Sequence, residues 1–136
     1  MADFASGFGI NAMTSPQKLP NTRQAMAVAE YARDLDKLDV FRSLAMKARW
    51  EEDRDLEDQE VLKDLAKASG LDPDDALAAS RSQQYLSRVD SMGIEAQKRG
   101  ISGIPAFIIG SQLIVGCQPY DILAKAVIKA GGLPRA

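Results

Sequence analysis

The feature that most constrains this chain is where its β character lies. Only two short runs read as strands, Ala106-Phe107-Ile108-Ile109 and Leu113-Ile114-Val115, and both fall after residue 100. Gly110-Ser111 between them reads as a tight hairpin turn, with glycine supplying the positive φ. A two-stranded hairpin is marginal by itself in water. Strands that are almost wholly apolar are expected to be buried on both faces. Nothing before residue 100 reads as a good strand, so the sequence predicts a sheet completed from elsewhere.

The rest reads as helix. Residues 1–20 form an irregular lead-in punctuated by Gly7, Gly9, Ser15, Pro16 and Pro20, with a weak extended signal at Phe8 and Ile10. Asn21 or Thr22 caps a first helix that runs to about Asp34. The next starts near Asp36, and Leu38, Phe41, Leu44, Ala45 and Ala48 share one face. Asp58 caps a third, with Val61, Leu62, Leu65 and Ala66 inward and Gly70 just past its end. Asp72-Pro73 opens a fourth. A fifth carries Tyr85, Val89, Met92 and Ala96, contains Gly93, and stops at Gly100. Gln118-Pro119 begins the last, with Ile122, Leu123, Ala126 and Val127 inward and Gly131-Gly132 after it. The expectation is one α+β, mostly helical domain over 21–136, with a helical part at 21–99 and a hairpin plus final helix at 100–136.

Composition narrows the chemistry. The chain has one cysteine and no histidine, which excludes an internal disulfide, a cysteine-rich zinc site, and Ser-His-Asp or Cys-His catalysis within these residues. The net charge is −2 and no basic stripe marks a nucleic-acid surface. No tract reaches membrane-spanning length, and the start, MADFASGFGINAM, lacks the pattern of a secretory signal. A cytoplasmic chain without nucleic-acid or membrane partners, metal or cofactor is expected. The acidic stretch EEDRDLEDQE at 51–60 lacks the spacing and glycine of a calcium loop, and reads as a solvated helix end and helix start. Arg33, Arg42, Arg49 and Arg54 read as partners in helix-surface ion pairs.

The stretch before the first strand, Gly103-Ile104-Pro105, raises a specific question. Proline removes a backbone donor and is tolerated at the first position of a strand. By spacing alone the Ile104–Pro105 bond is either a plain trans proline at a helix-to-strand turn or a cis bond that turns the Ile104 backbone outward.

The segment Gly100-Ile-Ser-Gly-Ile-Pro-Ala-Phe-Ile-Ile-Gly, followed by Gly116-Cys-Gln-Pro and a helix, resembles the C-terminal part of DsbA-family thioredoxin-fold proteins, in particular the FrnE-like branch. Pro20-Asn-Thr, Asp55-Leu-Glu-Asp-Gln-Glu-Val-Leu and Gly70-Leu-Asp resemble that family's helical insertion, in the same order, so the likeness runs from about residue 20 to 131. The resemblance implies a partial thioredoxin-like fold in which Pro105 is the cis-proline. Ile104 then offers main-chain hydrogen bonds to a substrate backbone, a form of strand addition. It also implies that the β-α-β unit carrying the family's Cys-x-x-Cys lies outside this chain. The expected role is therefore a binding or assembly module that is not redox-active alone, either as a homodimer through the Ala106–Ile109 edge or with a partner supplying the β-α-β unit.

Cys117 stands where the FrnE-like pattern has alanine. It is read either as a small buried residue or as a candidate redox thiol at a helix start. Two further readings stay open: a thiol-disulfide oxidoreductase or glutathione-linked isomerase that needs a partner chain or uses Cys117, and an unrelated helical adaptor.

Overall fold

The computed structural model of the chain describes residues 6, 7, 9, 11–14 and 18–133. The extended piece suggested at Phe8 and Ile10, like Ser15 and Pro16, lies outside the described residues. The described chain forms six helices and two strands: α1 (Arg23–Asp34), α2 (Leu38–Trp50), α3 (Gln59–Ala68), α4 (Pro73–Arg81), α5 (Gln83–Lys98), β1 (Ala106–Ile109), β2 (Gln112–Val115) and α6 (Tyr120–Lys129). This is a mostly helical α+β chain. It divides into two compact units, Met1–Ser91 and Met92–Ala136, with α5 crossing the boundary. No helix among the described residues is long and apolar enough to cross a membrane.

The first unit is built around α1, which packs against α2, α3 and α4. The small side chains of Ala25, Ala27 and Ala32 are buried and let neighbouring helices approach closely. Phe41, Leu62 and Val28 are the large apolar side chains most fully buried, and Leu56, Val61, Leu65 and Leu71 complete the cluster around them. Phe41, Ala45 and Ala48 are buried and Leu44 packs against the cluster, so the face read from the spacing of α2 is the one it buries.

Local signals place the helix ends. Asp58 accepts from the Glu60 N–H at 2.9 Å, and Asp72 accepts from the N–H groups of Asp74 and Asp75 at 2.9 Å each. Each side chain satisfies donors that the first helical turn leaves orphaned. At the start of α1 the residue at the cap position, Thr22, makes no side-chain cap bond, while Asn21 Oδ1 accepts from the Arg23 N–H at 3.1 Å. Gly70 adopts φ +76° after α3, and the Leu71 N–H reaches back to the Ala66 carbonyl while Leu71 is buried. That is a left-handed C-terminal cap, which glycine forms at least cost.

Two findings in this unit differ from the sequence expectations. α2 begins at Leu38 rather than near Asp36, because Asp36 takes φ +56° and breaks the helical path. Arg49 is not a surface residue. It is 7% exposed, donates to the Lys18 carbonyl at 2.5 Å and pairs with Asp53 at 3.4 Å. It thereby ties the lead-in to α2, where Thr14 also bonds the Trp50 carbonyl through its N–H at 2.6 Å and its hydroxyl at 2.9 Å. Arg33, Arg42 and Arg54 do pair with Glu30, Asp39 and Asp64. The acidic stretch forms the turn between α2 and α3. Asp55 and Glu57 hold Lys18, and Leu56 points into the core.

The second unit consists of the end of α5, the hairpin and α6. The hairpin is antiparallel, pairing Ala106 with Val115, Phe107 with Ile114, Ile108 with Leu113 and Ile109 with Gln112. Gly110 carries φ +60° and Ser111 has no positive φ, the pattern of a type II′ turn. β2 starts one residue earlier than read from sequence.

The expected burial of the strands on both faces is not found. Phe107, Ile108, Leu113 and Val115 are all exposed. Ile122 and Val127 of α6, read as inward, are also exposed, and only Ala126 of that helix is buried. The physical reason is sheet size. Among the described residues the sheet has two strands, so most of the apolar surface that these side chains bring has nothing to lie against.

Candidate functional site

The hairpin's open end gathers the residues singled out in the sequence. The Ile104–Pro105 peptide bond is cis. The Pro105 carbonyl accepts from the Gly116 N–H at 2.7 Å, which extends the ladder one step beyond Ala106–Val115 and closes the hairpin's mouth. Gly103 lies close to the opposite strand: a Cβ there would stand 3.3 Å from Val115 Cγ1. Ile104 is thrust outward. Its side chain is 92% exposed, and neither its N–H nor its carbonyl has a hydrogen-bond partner among the described residues.

The ladder's parity fixes which backbone groups are free. In a two-residue hairpin the residues flanking the turn form a hydrogen-bonded pair, and pairs alternate from there. Ile109–Gln112 and Phe107–Ile114 therefore exchange bonds across the hairpin, and at Pro105–Gly116, where proline has no N–H to give, the Gly116 N–H alone donates. Ala106 and Ile108 point their N–H and C=O groups to the outer edge of β1, and Leu113 and Val115 point theirs to the outer edge of β2. The β2 edge is partly occupied, because Gln118 Nε2 donates to the Val115 carbonyl at 3.0 Å.

Cys117 follows Gly116 directly, so the register brings it to the same end of the hairpin as Ile104 and Pro105. It is exposed and free. The reading of Cys117 as a small buried residue is thus corrected: the chain after β2 runs outward to the N-terminus of α6 instead of into a core. Pro119 caps α6 without a side-chain bond.

Two features of this region were not read from the sequence. One is Gln118, whose amide covers a strand-edge carbonyl; a glutamine carries no local signal for such a bond. The other is the pair Lys125 and Lys129, one helical turn apart on α6 and beside β2. Their four-residue spacing was visible, but the strand they flank is set by tertiary packing. No group of three or more His, Cys, Asp or Glu side chains positioned to hold a metal ion occurs among the described residues.

An antiparallel hairpin entered through Gly-Ile-Pro, followed by a final helix and preceded by a helical cluster, is the arrangement that the motif order implied. Comparison with known proteins agrees. A family model described as DSBA-like thioredoxin domain matches residues 1–128, so the likeness extends into the lead-in, beyond the span legible from motifs. A protein of Bacillus subtilis (strain 168) described as uncharacterized protein YwbO is 26% identical over 109 residues, which is 79% of this chain and 54% of that protein. The chain thus spans about half the length of the curated relative it matches. With the family model covering nearly all of its residues, the chain belongs to the DSBA-like thioredoxin domain family.

Proposed function

We propose that this chain is a binding or assembly module of the FrnE-like type, not redox-active on its own. The observation that carries the reading is Ile104: an almost fully exposed residue with both main-chain groups unpartnered among the described residues, next to Pro105 and in line with the open edge of β1. A backbone edge of this kind accepts an extended segment by strand addition. Cycling between dithiol and disulfide takes two thiols, and these residues hold one cysteine. A single exposed free thiol suits a reducing compartment, which supports the cytoplasm as its location.

The apolar edge of β1 is covered by another chain in this reading. The simplest cover is a second copy, with Ala106–Ile109 meeting its symmetry mate antiparallel across a two-fold axis to give a four-stranded sheet. The alternative cover is a partner supplying a β-α-β unit. Native mass in reductant across a dilution series tests the first form. A dimer that survives reductant and dissociates on dilution is expected; a monomer at all concentrations overturns self-pairing.

The exposure of Cys117 supports a second reading, thiol-disulfide exchange as an enzyme. The Cys117 thiolate attacks a substrate disulfide, forms a mixed disulfide and releases one substrate thiolate; one glutathione thiolate then attacks the Cys117 sulfur and releases the second substrate thiolate, and another frees Cys117, so the substrate is reduced and glutathione disulfide is formed. Catalysed insulin reduction or glutathione-dependent turnover by the purified chain that Cys117→Ser abolishes would establish this reading. Rates equal to the uncatalysed background would exclude it.

A further inference from the structure

A second strand edge, away from Ile104 and Pro105, carries its own chemistry. A groove of about 340 Å³ runs between β2 and α6, lined by Gln112, Leu113 and Ile114 from the strand and by Ile122, Lys125, Ala126 and Lys129 from the helix. Successive side chains of a strand point to opposite faces. Three consecutive β2 residues line this groove, so strand backbone as well as side chains borders it. Leu113 sits at a non-hydrogen-bonded position of the hairpin, so its N–H and C=O face this edge, and neither has a partner among the described residues. The neighbouring edge carbonyl, that of Val115, is already taken by Gln118. The open part of the edge is thus centred on Leu113.

The groove pairs an apolar floor with positive charge. Ile114, Ile122 and Ala126 supply the floor. Lys125 and Lys129 are exposed, and among the described residues neither forms an ion pair, although ten other lysines and arginines do. The charge around them is one-sided. Residues 92–136 hold five basic and two acidic residues, whereas residues 1–91 hold twelve basic and seventeen acidic ones. Residues 100–120 contain no charged side chain, and among the described residues Lys125 and Lys129 are the only charges lining the groove.

Spacing completes the match. Residues four apart on a helix rise about 6 Å, and alternate residues of an extended strand lie about 6.6–6.8 Å apart. Two carboxylates at alternate positions of a strand therefore have the spacing of Lys125 and Lys129. We infer that the β2–α6 groove binds an extended acidic peptide, which pairs its main chain with Leu113 and directs alternate Asp or Glu side chains to Lys125 and Lys129. Its intervening side chains point to the opposite face of the extended sheet, away from α6. This surface is separate from the Ile104–Pro105 edge and does not depend on the reading given to it.

The test is fluorescence anisotropy with the intact chain and a fluorescein-labelled decapeptide whose core is Val-Glu-Thr-Glu-Val. Saturable binding that weakens with salt is expected. The same peptide with glutamine for glutamate should bind at least tenfold more weakly, and Lys125→Ala/Lys129→Ala should erase that difference. A peptide N-methylated at its central residue should also lose at least tenfold. Ile104→Gly, which alters the other edge, should leave the affinity for this peptide unchanged. Equal binding of the glutamate and glutamine peptides, or a preference that survives the double lysine variant, would overturn the proposal. So would loss of binding on Ile104→Gly, which would move the peptide to the other edge. Competition by an oligothymidylate of equal charge would replace the peptide by a nucleic acid, and a change in native mass on the double variant would replace it by a second copy.

Discussion

Arg23 grips Asp90 with two parallel hydrogen bonds, Nε to Oδ1 at 2.9 Å and a terminal guanidinium nitrogen to Oδ2 at 2.7 Å. This fork joins the first residue of α1 to α5 across 67 positions of sequence. At the other end of α1, Asp34 accepts from Arg88 at 2.7 Å and from the Tyr85 hydroxyl at 3.2 Å. Two carboxylates thus pin α5 to both ends of α1.

These pairs predict an acid limb to the stability curve. The Arg23 hydrogen bond holds the Asp90 carboxyl below its ordinary 3.8, and the Arg88 hydrogen bond does the same for Asp34. The Glu57 N–H, followed by Lys18, lowers Asp55. A carboxyl with a depressed folded pKa takes up protons more readily in the unfolded chain. Its contribution is present above about pH 4 and lost as pH falls through the lower folded value. Urea midpoints measured from pH 6 down to pH 2 should fall on the acid side, and Asp34→Asn/Asp90→Asn should flatten that fall. An acid limb unchanged in the double variant would show that these pairs do not set it. All three carboxylates are solvent-accessible, so the effect should shrink in high salt.

The core of the first unit should be far more sensitive than its surface. Phe41 is 1% exposed and sits within the cluster formed by the helices. Phe41→Ala should cost about 3–5 kcal/mol, from lost burial and the cavity left behind. Chemical denaturation monitored by far-UV circular dichroism reads this directly. A loss below about 1 kcal/mol would mean that the helices collapse into the space, and that the core is less specifically packed than its burial implies.

The β1 edge should respond to charge. Ile108 is exposed and its backbone faces the outer edge. A lysine on an edge strand opposes pairing with another strand. Ile108→Lys should raise the dissociation constant of the proposed dimer at least tenfold, about 1.4 kcal/mol, with the circular dichroism spectrum unchanged. Sedimentation velocity measures it. An undiminished dimer would place the interface elsewhere on the chain.

Cys117 should label rapidly in the folded state. Its side chain is exposed at the hairpin's mouth, so one equivalent of a thiol reagent should react without denaturant. In reductant, Cys117→Ala should leave the native mass unchanged, because strand pairing does not involve the sulfur. Labelling that requires denaturant would contradict the exposure. A mass that changes with the alanine variant would assign the thiol a part in assembly.

What the sequence determined by itself was local. Asp58, Asp72-Pro73, Gly70, Gly100 and Gly110 mark helix ends and a turn through bonds and dihedrals reaching only a few residues, and the structure has an end or a turn at each. The spacing of Phe41, Ala45 and Ala48 named the buried face of α2, because helical periodicity alone aligns them. The motif order around Gly103-Ile104-Pro105 was enough to identify the family. Burial was different, because it depends on what arrives from distant parts of the chain. Arg49 looked like a surface partner, but the lead-in folds over it and offers the Lys18 carbonyl. Cys117 looked like a buried alanine substitute and is exposed. The apolar strands looked like a sheet interior, and the described fold brings no third strand to them. A pattern can state that a side chain is apolar, but only the tertiary structure decides whether anything covers it.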